Sequence, residues 1–308
     1  MPLSLSPRPL FNSARLAGAL AISIVVAGCV TGAGGGAGGV ATPSAPNVSP
    51  SSSTPPQPSG SISASGFYLR AWQTQALAPQ YTFTWLPQAT ISGGEYIDGI
   101  VAVPTIYPGP LWVSPSVQTI SAKGIDAIVA EARKQGLLGT TSDFTGAPMA
   151  GAVMGHIQMI VDGTTYDLIG SPGAVAAAGT TPAPGAAAAF AAFWQDITGL
   201  SMWLPDDLGQ SSAYEPESLA VLALPPTDAT SGIKPNEVAW PLATPFSKLG
   251  TAMGNDAYRC VVVTGADLAK LLPVVQQANQ LTRFVDSAKV QDSLAVRAMV
   301  PGEPSPCA

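Results

Sequence analysis

The chain falls into three stretches that differ in how their apolar residues are spaced. Residues 16–27 form one short apolar run, residues 30–65 show no period at all, and residues 66–308 carry segments of two-residue and of helical period. In that last stretch YTFTW, residues 81–85, alternates aromatic residues with threonine, the pattern of a strand with one buried face. Residues 67–72 and 97–103 read the same way, and Gly93-Gly94 supplies a turn, so an antiparallel meander is predicted. The segment SAKGIDAIVAEARKQG, residues 121–136, predicts a helix. Ser121 can cap it, Ile120 and Ile125 can form a hydrophobic staple, and Gly136 can end it in a left-handed conformation. Its apolar face is Ile125, Ile128, Val129 and Ala132.

Further along, residues 157–161 and 165–169 flank Asp162-Gly163, the dipeptide preferred in type I′ hairpins. Residues 186–199 predict a second helix with Phe190, Phe193, Trp194 and Ile197 at core spacing. A β-branched strand over 258–263 runs into Thr264-Gly265-Ala266-Asp267, which reads as a capping box opening a third helix through Leu268, Leu271, Leu272 and Val275. A strand over 294–300 closes the chain. This order predicts an α+β fold with antiparallel sheets, a meander and a hairpin, and about three packed helices. The strand-to-capped-helix layout shared by QTISAKGIDAIVAEARKQGLL and VVVTGADLAKLLPVVQQANQL adds a reading of two similar halves, with a subdivision near 205–217.

Composition changes the picture most at the N-terminus. Arg8 and Arg15, with no acidic residue near them, precede the apolar run, which is the layout of a secretory signal. The run is well short of the roughly 20 residues a membrane-spanning helix needs. At its end Val26-Ala27-Gly28-Cys29 resembles the lipobox of bacterial lipoproteins. That resemblance implies a diacylglycerol on the Cys29 thiol and cleavage just before it, so that 1–28 is a signal peptide and Cys29 the mature first residue. Two or three acyl chains, such as palmitate, make a stable membrane anchor, since each buried methylene contributes about 0.8 kcal/mol. Residues 30–65 carry no charge and no aromatic residue and cannot bury enough surface to offset ordering. Residues 29–65 are therefore expected to be a lipidated, disordered tether, spanning roughly 30 Å on average as a flexible coil. The tether's GGGAGG formally matches a dinucleotide-binding fingerprint but lacks the flanking strand and helix that give that motif its mechanism. Residues 66–308 are then a globular extracytoplasmic region.

The charge balance narrows the partners. Of 13 basic residues the signal removes two, leaving 11 against 19 acidic ones, a net charge of −8 for the mature chain. Nucleic acid and anionic lipid headgroups are disfavoured on that account. With Cys29 lipidated, Cys260 and Cys307 remain as a pair in an oxidising compartment, where a disulfide is expected.

Candidate chemistry is sparse. His156 is the only histidine and precedes the strand over 157–161, which rules out two-histidine zinc sites and leaves any serine triad to this one residue. No nucleophile elbow, HExxH, P-loop or calcium loop is present. No catalytic residue, metal or cofactor is expected. Asp206-Asp207 and Glu215 with Glu217 are the carboxylates a hydrolase could use, although carboxylates in polar loops are usually just solvated. Two proline-aromatic stretches, IYPGPLW at 106–112 and WPLATPF at 240–246, have two readings. They could present Tyr107, Trp112, Trp240 and Phe246 as a low-entropy contact surface, or they could fill the core at loop corners, the reading we favour.

IYPGP, the 121–138 helix segment and WPLATPFSKLG are similar to uncharacterised secreted proteins and lipoproteins of actinobacteria and related bacteria, a likeness that implies the envelope and no activity. The layout of a meander followed by a helix ending in Ala-Arg-Lys-Gln-Gly-Leu also resembles the small emfourin-type inhibitors of metalloproteases. The expectation is a lipid-anchored envelope protein, a non-enzymatic binding module for an extracellular protein or cell-wall component. The alternatives are a carboxylate-based envelope hydrolase and an extracellular protease inhibitor.

Overall fold

A computed structural model of the chain describes residues 66–101, 105–145, 151–173, 185–226 and 232–307. The signal, Cys29 and the tether lie outside the described residues. In chain order the first elements are β1 (Tyr68–Thr74), the helical turn α1 (Pro79–Thr82), β2 (Ala89–Ser92), β3 (Glu95–Asp98), β4 (Ser116–Thr119) and α2 (Ala122–Lys134). They are followed by β5 (Asp143–Phe144), β6 (Met154–Val161), β7 (Thr164–Gly170), α3 (Gly185–Thr198), α4 (Leu200–Trp203) and β8 (Ser212–Ala213). The remainder is β9 (Ser218–Leu224), β10 (Glu237–Ala239), β11 (Thr251–Met253), β12 (Asn255–Thr264), α5 (Gly265–Gln277), β13 (Arg283–Val285) and β14 (Gln291–Ala298).

The fold is α+β, with two mostly antiparallel sheets. The first runs β5-β7-β6-β1-β2-β3-β4-β8 and the second β10-β13-β14-β9-β12-β11, with parallel pairing at β5–β7 and β10–β13. The chain leaves the first sheet at Ala213 and enters the second at Ser218. A strand-to-helix step recurs, β4 into α2 and β12 into α5. The sheets nevertheless differ in strand number and order, so the shared layout does not extend to a repeated topology.

Each sheet packs a helical layer on one face. Ile125, Ile128, Val129 and Ala132 of α2 and Phe190, Phe193, Trp194 and Ile197 of α3 share a core with Leu69, Ala71, Ile91, Ile157 and Met159. The α2 termini follow from sequence: Ser121 Oγ accepts from Gly124 N at 3.0 Å, and Gly136 stands at φ +74°. The amides of Gly136 and Leu137 return to the carbonyls of Arg133 and Ala132, a Schellman closure. β6 alternates strictly between buried and half-buried positions, and Asp162 and Gly163 both take positive φ in the turn to β7. Gly155 and Gly170 pair across that hairpin under α3, and a Cβ on either would be driven into the Trp194 or Phe190 ring. In the second sheet Leu271 and Val275 of α5 pack with Leu219, Val221, Ala223, Val263, Phe284, Leu294 and Val296. The opposite face of this sheet carries a third cluster of Phe83, Ala220, Leu222, Cys260 and Met299.

Three expectations are corrected. Residues 81–85 are not a strand: Pro79 opens a helical turn and Tyr81 is exposed, because both sides of β1 are already paired, with β2 and β6. The meander exists, but Gly93-Gly94 joins β2 to β3. The strand expected over 97–103 keeps only Ile97 and Asp98, where the Asp98 carboxylate accepts from Ile100 N and turns the chain; Val103 lies outside the described residues. Thr264 occupies the N-cap of α5 without a side-chain hydrogen bond. The capping box is unmade because Gly265 enters at φ +55° and Asp267 turns to Lys270 at 3.0 Å.

Cys260 and Cys307 form the expected disulfide, closing a loop of 47 residues. Cys260 sits in the third cluster, with Cys307 packed against it, so the bridge fixes the C-terminal tail to the second sheet. Chain entropy alone assigns such a loop about 4 kcal/mol. Cys307→Ser is expected to lower unfolding stability by about that amount, read from urea denaturation without reductant.

Candidate binding site

The face of β1 turned away from the helices carries Tyr68, Arg70, Trp72 and Thr74, at the two-residue period of a strand. On β6 the residue opposite Trp72 is His156, so their rings lie 5.1 Å apart and nearly parallel. Thr74 Oγ1 and His156 Nε2 share a hydrogen bond of 2.9 Å. The Arg70 guanidinium lies 4.3 Å from the centre of the Trp72 ring. From the second sheet, β14 contributes Arg297, on the face opposite α5.

The tail after β14 lies between these two faces. Tyr68 donates its hydroxyl to the carbonyl of Pro301, and Arg70 donates Nη1 to the carbonyl of Gly302 at 3.1 Å. Tyr214 donates to the carbonyl of Met299. Glu303 reaches back to Arg297 at 2.7 Å, with both side chains more than nine-tenths buried. What remains open is a cavity of about 250 Å³ lined by Arg70, Trp72, Gln73, Gln75, Trp85, Arg297 and Glu303 among others. Its charged lining is two guanidinium groups against one carboxylate, so a positive charge is left over in a protein whose net charge is negative. Among the described residues, neither Arg70 Nε nor Arg297 Nε has a hydrogen-bond partner. Both Nε donors are buried, where unmade hydrogen bonds are costly.

The residues singled out from sequence lie elsewhere. Trp240 and Phe246 are 7% and 1% exposed, with rings 4.9 Å apart and Phe284 edge-on to Trp240. Trp240 donates its indole N–H to the carbonyl of Thr244, so its polar edge is satisfied internally and the pair fills the core. Trp112 is partly buried against the same core, and of the four aromatic residues only Tyr107 is well exposed, at 58%. The four therefore do not form one surface. Asp207 accepts from Ser121 Oγ at 2.7 Å and faces Lys123, which makes it part of the start of α2; Glu215 and Glu217 are exposed. Those two line a separate cavity with Glu95, Glu303 and Tyr214, whose hydroxyl pKa is raised by burial and then by the carboxylates of Glu217, Glu95 and Glu303. Among the described residues no group of acidic, histidine and cysteine side chains could hold a metal ion. His156, expected ahead of its strand, lies within β6, because the hairpin ladder extends back to Met154.

The pocket residues were missed, yet a signal existed. LRAW and VRAM each place an arginine inside an apolar strand segment, in a chain of which only 10% is charged. A buried arginine needs partners, so each such position marks a polar site inside the fold. No family model, curated protein or solved structure matches the chain.

Two measurements test this arrangement. Glu303→Gln leaves Arg297 buried without its counter-charge and is expected to cost about 3–5 kcal/mol in urea unfolding. Burial lowers the pKa of His156 below its ordinary 6.5. Neutral His156 thus contributes stability that is present above that value and lost as the pH falls through its lower folded-state midpoint. As the single histidine, its imidazole resonances titrated by NMR should show a midpoint below 6.5.

Proposed function

We propose that the chain is a lipid-anchored, extracytoplasmic binding protein that holds an envelope component in the pocket between its sheets. The observation that carries this reading is the convergence of Arg70 and Arg297, with one positive charge unmatched, and of Trp72 and Trp85 on one cavity. Such a cavity combines charge recognition with an apolar wall, which is the make-up of a small-ligand site. Its strands are fixed by ladders on both sides, so the ligand meets groups already in place. The anchor follows from the Val26-Ala27-Gly28-Cys29 lipobox, and the Cys260–Cys307 disulfide accords with an oxidising compartment. In this non-enzymatic reading the one histidine, hydrogen-bonded through Nε2 to the Thr74 hydroxyl and stacked on Trp72, braces the pocket wall.

Two readouts test the proposal on cells producing the full chain. Wild-type protein should partition with the membrane fraction and the Cys29→Ala protein should not; membrane retention of Cys29→Ala would remove the anchor. Solubilised protein should co-sediment with purified envelope material, and Arg70→Gln should release it.

A further inference from the structure

We propose that the pocket takes a carboxylated sugar, a single ring of the uronic-acid class, either as a free sugar acid or as the end unit of an acidic envelope polysaccharide. This rests on the reading of the chain as an envelope binding protein and specifies its ligand.

Charge comes first. With Glu303 engaged by Arg297, the lining retains one unmatched positive charge, which a monoanion neutralises and a dianion would exceed. The planar guanidinium fork suits a carboxylate, and the bond is charge-assisted on both sides. Shape comes second. At about 250 Å³ the cavity lies just under the roughly 300–1,000 Å³ of sites for drug-sized ligands, which leaves room for one ring and its substituents. The third argument is the polar wall. Glu303 brings an acceptor beside the arginines. A carboxylate acceptor in the wall favours a ligand that brings hydroxyl donors of its own. Trp85 completes the match. The Trp72 ring is engaged by Arg70 and His156, and Trp85 supplies an indole wall against which the C–H face of a sugar ring can lie.

The test is isothermal titration of the detergent-solubilised full chain with glucuronate, glucose, benzoate and an oligosaccharide ending in glucuronate. Glucuronate should bind, with glucose and benzoate each at least about tenfold weaker, the loss expected when a charge-assisted hydrogen bond or a set of hydroxyl contacts is removed. Arg70→Gln should weaken glucuronate binding by a similar factor. Trp85→Ala, at a half-buried loop position outside both sheets, should do so while far-ultraviolet circular dichroism and the urea midpoint stay close to wild type. Binding of the oligosaccharide alone supports the polymer as source, and equal binding of both supports the free acid. Glucose or benzoate bound as tightly as glucuronate, or no heat with either acidic ligand, overturns the proposal. If the acids fail while Arg70-dependent co-sedimentation with envelope material persists, the ligand class is wrong and the binding function stands. If co-sedimentation fails too, both fall.

Discussion

Two arginines buried where two sheets meet impose the constraint around which the rest of this structure is arranged. A guanidinium withdrawn from water costs several kcal/mol unless hydrogen bonds and an opposite charge replace its hydration. β1 and β14 each bury one, Arg70 and Arg297, and neither strand has an acidic side chain on the same face to answer it. The answer comes from Pro301, Gly302 and Glu303 in the tail after β14. Gly302 offers a carbonyl to Arg70, Glu303 a carboxylate to Arg297, and Pro301 a carbonyl to Tyr68. Gly302 can do this because it sits at φ +71°, where a side chain would also collide with the Tyr68 ring. An unanchored tail would lose much of this effect to its own entropy, and the Cys260–Cys307 bridge removes that freedom.

The same constraint explains why a mostly acidic protein holds a basic pocket. The tail satisfies part of what the arginines can donate, and the cavity opens beside the two side chains. The carboxylates singled out from the sequence instead serve the fold, Asp207 at the start of α2, or meet solvent, as Glu215 and Glu217 do. His156 belongs to the pocket's support. Its ring backs Trp72, and its neutral form suits that stacking.

Features whose cause is local were legible in the sequence. The α2 helix carries its cap, staple and terminator within a few residues, Asp162-Gly163 dictates its hairpin, and Cys260 and Cys307 form the expected bridge. The α+β class follows from the same local signals. Features decided by partners were not legible. YTFTW has a strand's pattern, but β1 is already paired on both sides, so residues 81–85 turn instead. The converse case is β9, whose run SLAVLAL shows no alternation because it is buried on both faces at the centre of the second sheet, and which went unread. Trp240 and Phe246 fill the core, which no property of WPLATPF by itself distinguishes from a displayed surface. Arg70 and Arg297 are two lone charges far apart in sequence, and only the meeting of β1 with β14 makes them neighbours of one cavity.

β1 has one further property, which is mechanical. It is the first strand of the globular part, flanked by antiparallel neighbours on both sides, with seven residue pairs to β6 and four to β2. Were the chain anchored at its N-terminus, as proposed, tension would enter along this strand's own axis. The ladder bonds on both sides then resist in shear, all sharing the load, rather than opening one after another like a zip. Arg70 and Trp72 lie on that strand, so the pull of a ligand bound as proposed would pass along β1 rather than through either helical core. With the anchor and the pocket both as proposed, grip and leash would share one strand.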